Sequence, residues 1–201
     1  MTFVSLSLLW ACSGTPSGFS VEVTNARWVV PGETMPEAID IDASNNNVSI
    51  IRHEGRLFMG WRTAPTHFAS TETQMHLVSS TDDGATWDWE TTIQMGTDVR
   101  EPLFYKAGEA LFFTWFEGGD NSFSFDPHQP WRMQYAAPGA WSEPEQWGEQ
   151  GEVPWEIVSH DGILYLTSYL GNHYDLGAEG SISVRFQAST DGVNWMPVGA
   201  E

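Results

Sequence analysis

Residues 80–87 read S-T-D-D-G-A-T-W, the most specific turn pattern in the sequence. Serine, aspartate and glycine in this order favour a tight turn, because an Asp side chain accepts backbone N–H groups and Gly adopts a positive φ without strain. The closing tryptophan is large enough to fill a gap between neighbouring sheets. Residues 189–195, S-T-D-G-V-N-W, repeat the pattern one residue shorter, and residues 136–141, A-A-P-G-A-W, keep only the glycine and the tryptophan. The chain therefore contains three copies of one turn.

The tryptophans that close these turns are evenly spaced. Trp87, Trp141 and Trp195 lie 54 residues apart. A glycine precedes each of them at spacings of 53 and 54 residues: Gly55, Gly108 and Gly162. Long periods of this kind in strand-rich sequence are typical of propeller blades.

Each copy also contains a β-hairpin. In residues 49–61, 102–115 and 156–169, two apolar runs flank a tight turn that contains glycine. A third strand follows, most clearly in residues 181–189, where apolar and polar residues alternate. No window shows a sustained helical period. The sequence predicts an all-β protein built from four-stranded units.

The S-x-D-x-G-x-T-W turn resembles the Asp box, or BNR repeat, of sialidases and related β-propellers. The resemblance extends over residues 46–199. It implies a sialidase-like propeller of about six blades, of which about three are present. The partial propeller would span residues 21–201, with blades at roughly 46–97, 98–151 and 152–201, and residues 21–30 would add a strand to the last blade. A fragment of a longer protein is the favoured interpretation; a ring assembled from two or more chains is the alternative.

Acidic residues dominate the charge of the chain. The sequence has 27 Asp and Glu against 8 Lys and Arg, a formal net charge of −19. This charge repels phosphate and anionic lipid, which argues against nucleic acid and membrane surfaces as partners. No His, Cys or acidic cluster has metal-site spacing and no phosphate-binding glycine loop occurs, so we expect no metal and no cofactor.

Residues 1–20 resemble an export signal followed by a tether. Residues 1–11 are apolar and uncharged, and S-G-T-P-S-G begins directly after the single cysteine, Cys12. The sequence L-W-A-C at residues 9–12 resembles a bacterial lipobox, in which cleavage frees the cysteine for lipidation. We therefore predict an exported protein, either a cell-envelope lipoprotein or extracellular, that meets the membrane only through this anchor. A buried free cysteine is the alternative for Cys12.

The propeller topology separates scaffold from candidate site. The Asp-box turns would lie on the face opposite the ligand face, so their residues are predicted to be structural: Ser80, Asp82, Gly84, Trp87, Ser189, Asp191, Gly192 and Trp195. On the ligand face the candidate catalytic residues are Glu101, Glu156 and His67. The candidate substrate-binding residues there are Arg62, Arg100, Asn47, Trp155, His173 and Tyr174. Carboxyl groups and stacking rings of this kind suit a carbohydrate or glycoconjugate.

The resemblance to sialidases carries over only in part. Sialidases use a Tyr nucleophile assisted by a Glu, an acid/base Asp, and arginines that bind the substrate carboxylate. Arg62 matches the position of one arginine. Residues 46–49, N-N-V-S, stand where another is expected, and residues 63–70 offer His67 in place of the Asp. The Tyr and the later arginines would belong to further blades.

Arg100 and Glu101 form the strongest candidate pair. The segment D-V-R-E-P, residues 98–102, opens the first strand of the second blade. It resembles the Arg-Asp-Pro segment of five-bladed glycosidase propellers, where the acid stabilises the transition state. Pro102 is predicted to hold Glu101 in an extended conformation facing the channel mouth. An Arg–Glu ion pair that merely orders the rim is the alternative.

Two functions are compatible with these features. The first is an exported, sialidase-like glycoside hydrolase that acts on terminal sugars of glycans. The second is a non-catalytic Asp-box lipoprotein that binds glycan or protein. In either case three blades would leave two open sheet faces, so we expect the chain alone to be poorly folded or self-associating. We also expect His53 and His160 to be solvated turn residues.

Overall fold

The computed structural model describes residues 27–120, 126–171 and 182–199. These residues form 13 strands in three antiparallel sheets. Within the described ranges there is no helix, and therefore none long and apolar enough to cross a membrane. The predicted all-β class is confirmed.

Each sheet follows the chain in order. Sheet 1 contains β1 (Ser44–His53), β2 (Arg56–Ala64), β3 (Gln74–Ser80) and β4 (Asp88–Ile93). Sheet 2 contains β5 (Val99–Ala107), β6 (Ala110–Glu117), β7 (Trp131–Ala137), β8 (Ala140–Trp141) and the short β9 (Glu145–Gln146), which pairs with β7. Sheet 3 contains β10 (Glu152–His160), β11 (Ile163–Leu170), β12 (Ser183–Ser189) and β13 (Met196–Pro197).

The sheets pack face to face, and their first strands are neighbours: β1 contacts β5, and β5 contacts β10. Phe58 and Phe113 contribute to the apolar core that joins sheets 1 and 2. Trp141 packs edge-on against Phe58 there, with ring centroids 6.2 Å apart. Trp195 packs against Tyr105 in the same way between sheets 2 and 3, at 6.2 Å. Trp141 and Trp195 therefore fill the gaps between sheets, as their size predicts, whereas Trp87 packs in a cluster on the other face of sheet 1.

His53 does not behave as predicted. It is buried, and its ring meets that of Tyr135 edge-on at 5.6 Å. The prediction of a solvated turn residue was wrong because sheet 2 packs over the end of the first hairpin. His160, at the corresponding hairpin of sheet 3, is exposed.

An aspartate holds the turn between β3 and β4 together. Asp82 accepts hydrogen bonds from the Ser80 hydroxyl at 2.7 Å and from the backbone N–H of Thr86 at 2.8 Å. Gly84 has φ 80°. Asp191 accepts equivalent bonds from Ser189 and from the backbone of the following residues in sheet 3. These bonds stabilise the ionised carboxylates: they lower the pKa of Asp82 to about 2, and that of Asp191 also falls.

Acid should therefore weaken both turns. A carboxyl whose pKa is lower in the folded than in the unfolded chain stabilises the fold above the unfolded value and loses this contribution as the pH falls. We expect the melting temperature to decline between about pH 4 and pH 2. The double variant Asp82→Asn/Asp191→Asn should be less stable at pH 6 and decline less steeply. Thermal melts from pH 2 to pH 6 test this, and parallel curves for the two proteins would refute it.

The turn at residues 136–141 of sheet 2, which lacks the aspartate, is stabilised by a side chain of sheet 1. The backbone N–H of Gly139 donates to Oε2 of Glu90 at 2.7 Å, and Nε1 of Trp141 donates to the same oxygen at 3.3 Å. Glu90 is fully buried on β4 of the preceding sheet. A carboxylate from sheet 1 thus replaces the aspartate that residues 136–141 lack.

Residues 27–43 cover much of the face of sheet 1 that points away from sheet 2. Ile39 is buried there in a cluster that includes Trp61 and Trp87. Nε2 of His76 lies 2.9 Å from the carbonyl of Asp40. The predicted open face is therefore largely closed. Residues 27–43 contain no strand, although residues 21–30 were expected to form one; residues 21–26 lie outside the described residues.

The opposite end of the stack is open. On sheet 3, alternate residues of β11 and β12 face away from sheet 2, because Leu164 on the other side packs in the core with Tyr105. The outward side carries Phe186, 47% exposed and stacked on Tyr165 at 5.5 Å, and Val184, 74% exposed. A face of this kind normally packs against another sheet.

This face should cause self-association. Phe186→Asp places a charge at its centre, and we expect the wild type to elute from a sizing column above the monomer mass and the variant to elute as a monomer. Ser183→Asp, on the same strand but at the alternate position, is the matched control and should behave as wild type. A monomeric wild type would contradict this prediction.

Candidate functional site

The first strands of the three sheets share an irregularity near their starts. The pairing of β1, β5 and β10 with the next strand shifts register once in each sheet. The residues left without a pairing partner are Asn47, Glu101, Pro102 and Trp155. Asn47, Glu101 and Trp155 are 54 residues apart, the same period as the turn tryptophans. A bulge changes the direction of the side chain of its extra residue. Each sheet therefore has one residue, at the same position of the repeat, whose side chain is directed differently from those of its neighbours.

Asn47 and Glu101 meet across the boundary between sheets 1 and 2. Nδ2 of Asn47 is 2.8 Å from each carboxylate oxygen of Glu101 and donates to them. Both residues have left-handed backbone, with φ 48° and 50°. The prediction that Pro102 keeps Glu101 extended was therefore wrong, because the bulge geometry outweighs the preference of a residue before proline.

Glu101 sits in an environment that favours its protonated form. The side chain is half-buried, and burial raises its pKa above the ordinary value. The hydrogen bond from Asn47 and the charges of Arg100 and Arg62 oppose this shift without cancelling it. A carboxyl group that keeps its proton more readily is suited to donate that proton to a substrate.

Asp98 is the centre of a buried ion network beside Glu101. Its side chain has no exposed surface. Oδ1 accepts from Nη2 of Arg62 at 2.7 Å and from the hydroxyl of Thr73 at 2.8 Å. Oδ2 accepts from Nε of Arg100. One carboxylate thus joins two arginines that the sequence analysis assigned to the substrate.

Arg62 has a different role from the predicted one. It is completely buried, and besides Asp98 it donates to the carbonyls of Thr66 and Phe68. Burial lowers its pKa, and Asp98 opposes this shift. The guanidinium of Arg62 links the loop after β2 to the start of β5 through these hydrogen bonds. Because the side chain is completely buried, it cannot contact a ligand.

Arg100 lies nearer the surface and holds the same loop. Its Nη2 donates to the carbonyl of His67 at 2.7 Å. The His67 side chain is exposed, with Nδ1 3.2 Å from the amide of Asn46. His67, Arg100, Glu101 and Asn47 are thus linked around the same rim.

Trp155 and Glu156 occupy the corresponding position of the repeat in sheet 3. Trp155 is 57% exposed, and its ring is tilted against that of Tyr169 at 5.9 Å. The two rings, with Thr167 and Val184, line a shallow depression of about 290 Å³. Glu156 is exposed on the adjacent position of β10. An exposed ring beside a carboxylate is a suitable surface for a sugar.

Other predicted residues lie elsewhere. The turn at residues 80–87 begins where Ser80 pairs with Leu57, whereas Asn46, beside the site, pairs with Arg62 at the other end of β2. The two features therefore occupy opposite ends of sheet 1, as predicted. His173, Tyr174 and Cys12 lie outside the described residues. Within the described ranges no group of three or more His, Cys, Asp or Glu side chains could hold a metal ion.

Sequence reasoning missed two organising carboxylates, Asp98 and Glu90. Asp98 was treated as part of the segment before Arg100 and received no role. A useful signal was available, because an acidic residue directly before a buried strand in a chain with so few arginines is a plausible partner for one of them. Nothing local marks Glu90, whose partners belong to the next sheet.

The chain matches no protein-family model and no curated protein. Several solved structures are similar. Zg3597, a family 117 glycoside hydrolase produced by the marine bacterium Zobellia galactanivorans, gives a TM-score of 0.51 at 12% sequence identity, covering 77% of this chain and 56% of that chain. A Trypanosoma rangeli sialidase in complex with sialic acid gives 0.54 at 16% identity, covering 77% and 30%. The complex of a Trypanosoma rangeli sialidase with the inhibitor DANA gives 0.53 at 16% identity.

These similarities establish the fold. The chain is a β-propeller-type arrangement of antiparallel sheets, and its structural neighbours are glycoside hydrolases. It spans about half the length of the first neighbour and about a third of the second. At such low sequence identity the comparison shows architecture alone.

Proposed function

We propose that this chain forms three blades of an exported, sialidase-like propeller that hydrolyses terminal sugars of glycans. One observation carries the proposal: the bulged residues Asn47, Glu101 and Trp155 recur at one position of the repeat, and two of them are in direct contact. In the proposal, the turns at residues 80–87 and 189–195 are Asp boxes that stabilise the opposite end.

The carboxyl groups suit the reaction. Hydrolysis of a glycoside needs a proton for the leaving oxygen and a group that activates water or attacks the anomeric carbon. Glu101, with its raised pKa, gives its proton to the leaving oxygen. Water adds to the anomeric carbon and passes a proton to Glu156. Trp155 supports the apolar face of the sugar.

The exposed face of sheet 3 supports the presence of further blades. Sheets 1 and 2 bury their corresponding faces in cores, whereas Val184 and Phe186 are exposed. We propose that a further blade covers Phe186 in the complete ring and leaves Val184 at the rim beside Trp155. Blades from the same, longer protein are the preferred source, and a ring assembled from copies of this chain is the alternative.

A non-catalytic glycan-binding propeller is the second candidate. The identity of residue 47 supports this candidate. The amide of Asn47 contacts Glu101 at a position where a second carboxylate would complete the usual catalytic pair. The complete burial of Arg62 also favours the non-catalytic candidate, because this arginine cannot contact a substrate.

Chromogenic glycosides separate the two candidates. The purified chain is incubated with nitrophenyl glycosides of the common hexoses, pentoses and sialic acid, and release of nitrophenol is measured. Hydrolysis of one or more glycosides supports the enzyme. Binding of sugars by calorimetry without release supports the binding module. The absence of both would refute a carbohydrate function.

We further propose that Cys12 is lipidated after export. In cells fed a clickable fatty acid, the wild type should carry label and Cys12→Ser should carry none, because the lipid attaches to the thiol. The wild type should also partition into detergent. Equal labelling of both proteins would exclude the lipoprotein.

A further inference from the structure

We propose that the sugar bound at Asn47, Glu101 and Trp155 is uncharged. The inference rests on the proposed carbohydrate function and specifies its substrate class. It departs from the expectation, drawn from the resemblance to sialidases, that arginines here bind a substrate carboxylate.

All eight basic side chains of the protein fall within the described residues, and each has a partner. Four arginines contact an acidic side chain outside the candidate site: Arg52, Arg56, Arg132 and Arg185. Arg27 donates to the carbonyl of Gly84, and Lys106 to that of Arg52. Arg62 and Arg100 share Asp98. The described part of the chain therefore holds no cation reserved for an anionic ligand.

The two arginines near the site each use one of their two bidentate edges on the protein. A planar guanidinium binds a carboxylate through two parallel N–H groups. Arg62 uses Nε and Nη2 on Asp98 and is completely buried. Arg100 uses Nε on Asp98 and Nη2 on the carbonyl of His67. Each therefore uses its Nε–Nη2 edge on the protein itself, and burial also closes the Nη1–Nη2 edge of Arg62.

The groups that remain available are acidic or neutral. Glu101 is half-buried and contacts the Asn47 amide, and Glu156 is exposed next to Trp155 in the sequence. The overall charge of −19 places an anionic ligand in a repulsive field. Hydroxyl groups and the apolar face of a neutral ring meet no such penalty.

The test uses two matched pairs of sugars with the purified chain: the methyl ester of 3′-sialyllactose against the free acid, and methyl-esterified trigalacturonic acid against the free acid. Affinities are measured by calorimetry at 20 mM and 300 mM salt. We expect the neutral member of a pair to bind at least about tenfold more tightly at low salt, and the difference to shrink at high salt as repulsion is screened.

Three outcomes are distinguishable. Tighter binding of the neutral member supports the inference. Equal or tighter binding of the anionic member overturns it and leaves the carbohydrate function standing. Failure of all four sugars to bind, together with inert glycosides in the hydrolysis assay, overturns both.

Discussion

Replacing Asp98 by alanine should lower the free energy of unfolding by about 3–5 kcal/mol. Asp98 is completely buried and joins Arg62 to Arg100. Its removal leaves the guanidinium of Arg62, which is also completely buried, without a counter-charge. An unpaired buried charge is among the most destabilising changes that a single substitution can produce. Chemical denaturation followed by tryptophan fluorescence measures the effect.

Asp88→Ala provides a matched control. Asp88 pairs with Arg56 at 2.9 Å, but its side chain is 71% exposed. Exposed pairs contribute little, so this variant should lose no more than about 1 kcal/mol. The double variant Arg62→Met/Asp98→Leu should recover much of the lost stability, because it removes both buried charges. Similar losses for Asp98→Ala and Asp88→Ala would show that the buried network is not a main support of the fold.

Glu101→Gln should reduce the turnover of a glycoside at least about a hundredfold while leaving the melting temperature unchanged. Glutamine keeps the size of the side chain and can accept one hydrogen bond from Asn47 through Oε1, but it cannot donate an acidic proton. Glu109→Gln is the matched control. Glu109 is exposed in the hairpin at the other end of β5 and should tolerate the change.

The pH profile adds a second readout for Glu101. Burial raises its pKa, so the protonated form survives to higher pH than in an exposed glutamate. If this proton is transferred, turnover should fall as the pH rises through that pKa, and the variant should lack this limb of the profile. If the variant keeps full activity, or loses activity only because it unfolds, Glu101 has a structural role and not a catalytic one.

The parts of the fold that were predictable from sequence are those fixed by local interactions. The aspartate of residues 80–87 and its glycine specify a turn within eight residues, and the alternation in residues 181–189 specifies β12. The spacing of Trp87, Trp141 and Trp195 then indicates how often the unit repeats. Each of these signals needs no knowledge of distant partners.

The site was harder to predict because its geometry depends on neighbouring sheets. Arg62 was read as a ligand-binding group, yet its partner Asp98 is 36 residues away. The left-handed backbone of Glu101 follows from the register shift between β5 and β6, which local preference does not reveal. His53 became buried for a similar reason, because a residue of another sheet, Tyr135, packs on it.

A crystal structure of the chain soaked with methyl-esterified trigalacturonic acid and lactose tests the central claim most directly. The claim is that the bulged residues of the three sheets form one sugar site. The expected result is a sugar with a hydroxyl or glycosidic oxygen within about 3 Å of the Glu101 carboxylate, and with one ring face against Trp155. A sugar held at the opposite end, near the turn of Asp82, with the bulged residues empty, would contradict it.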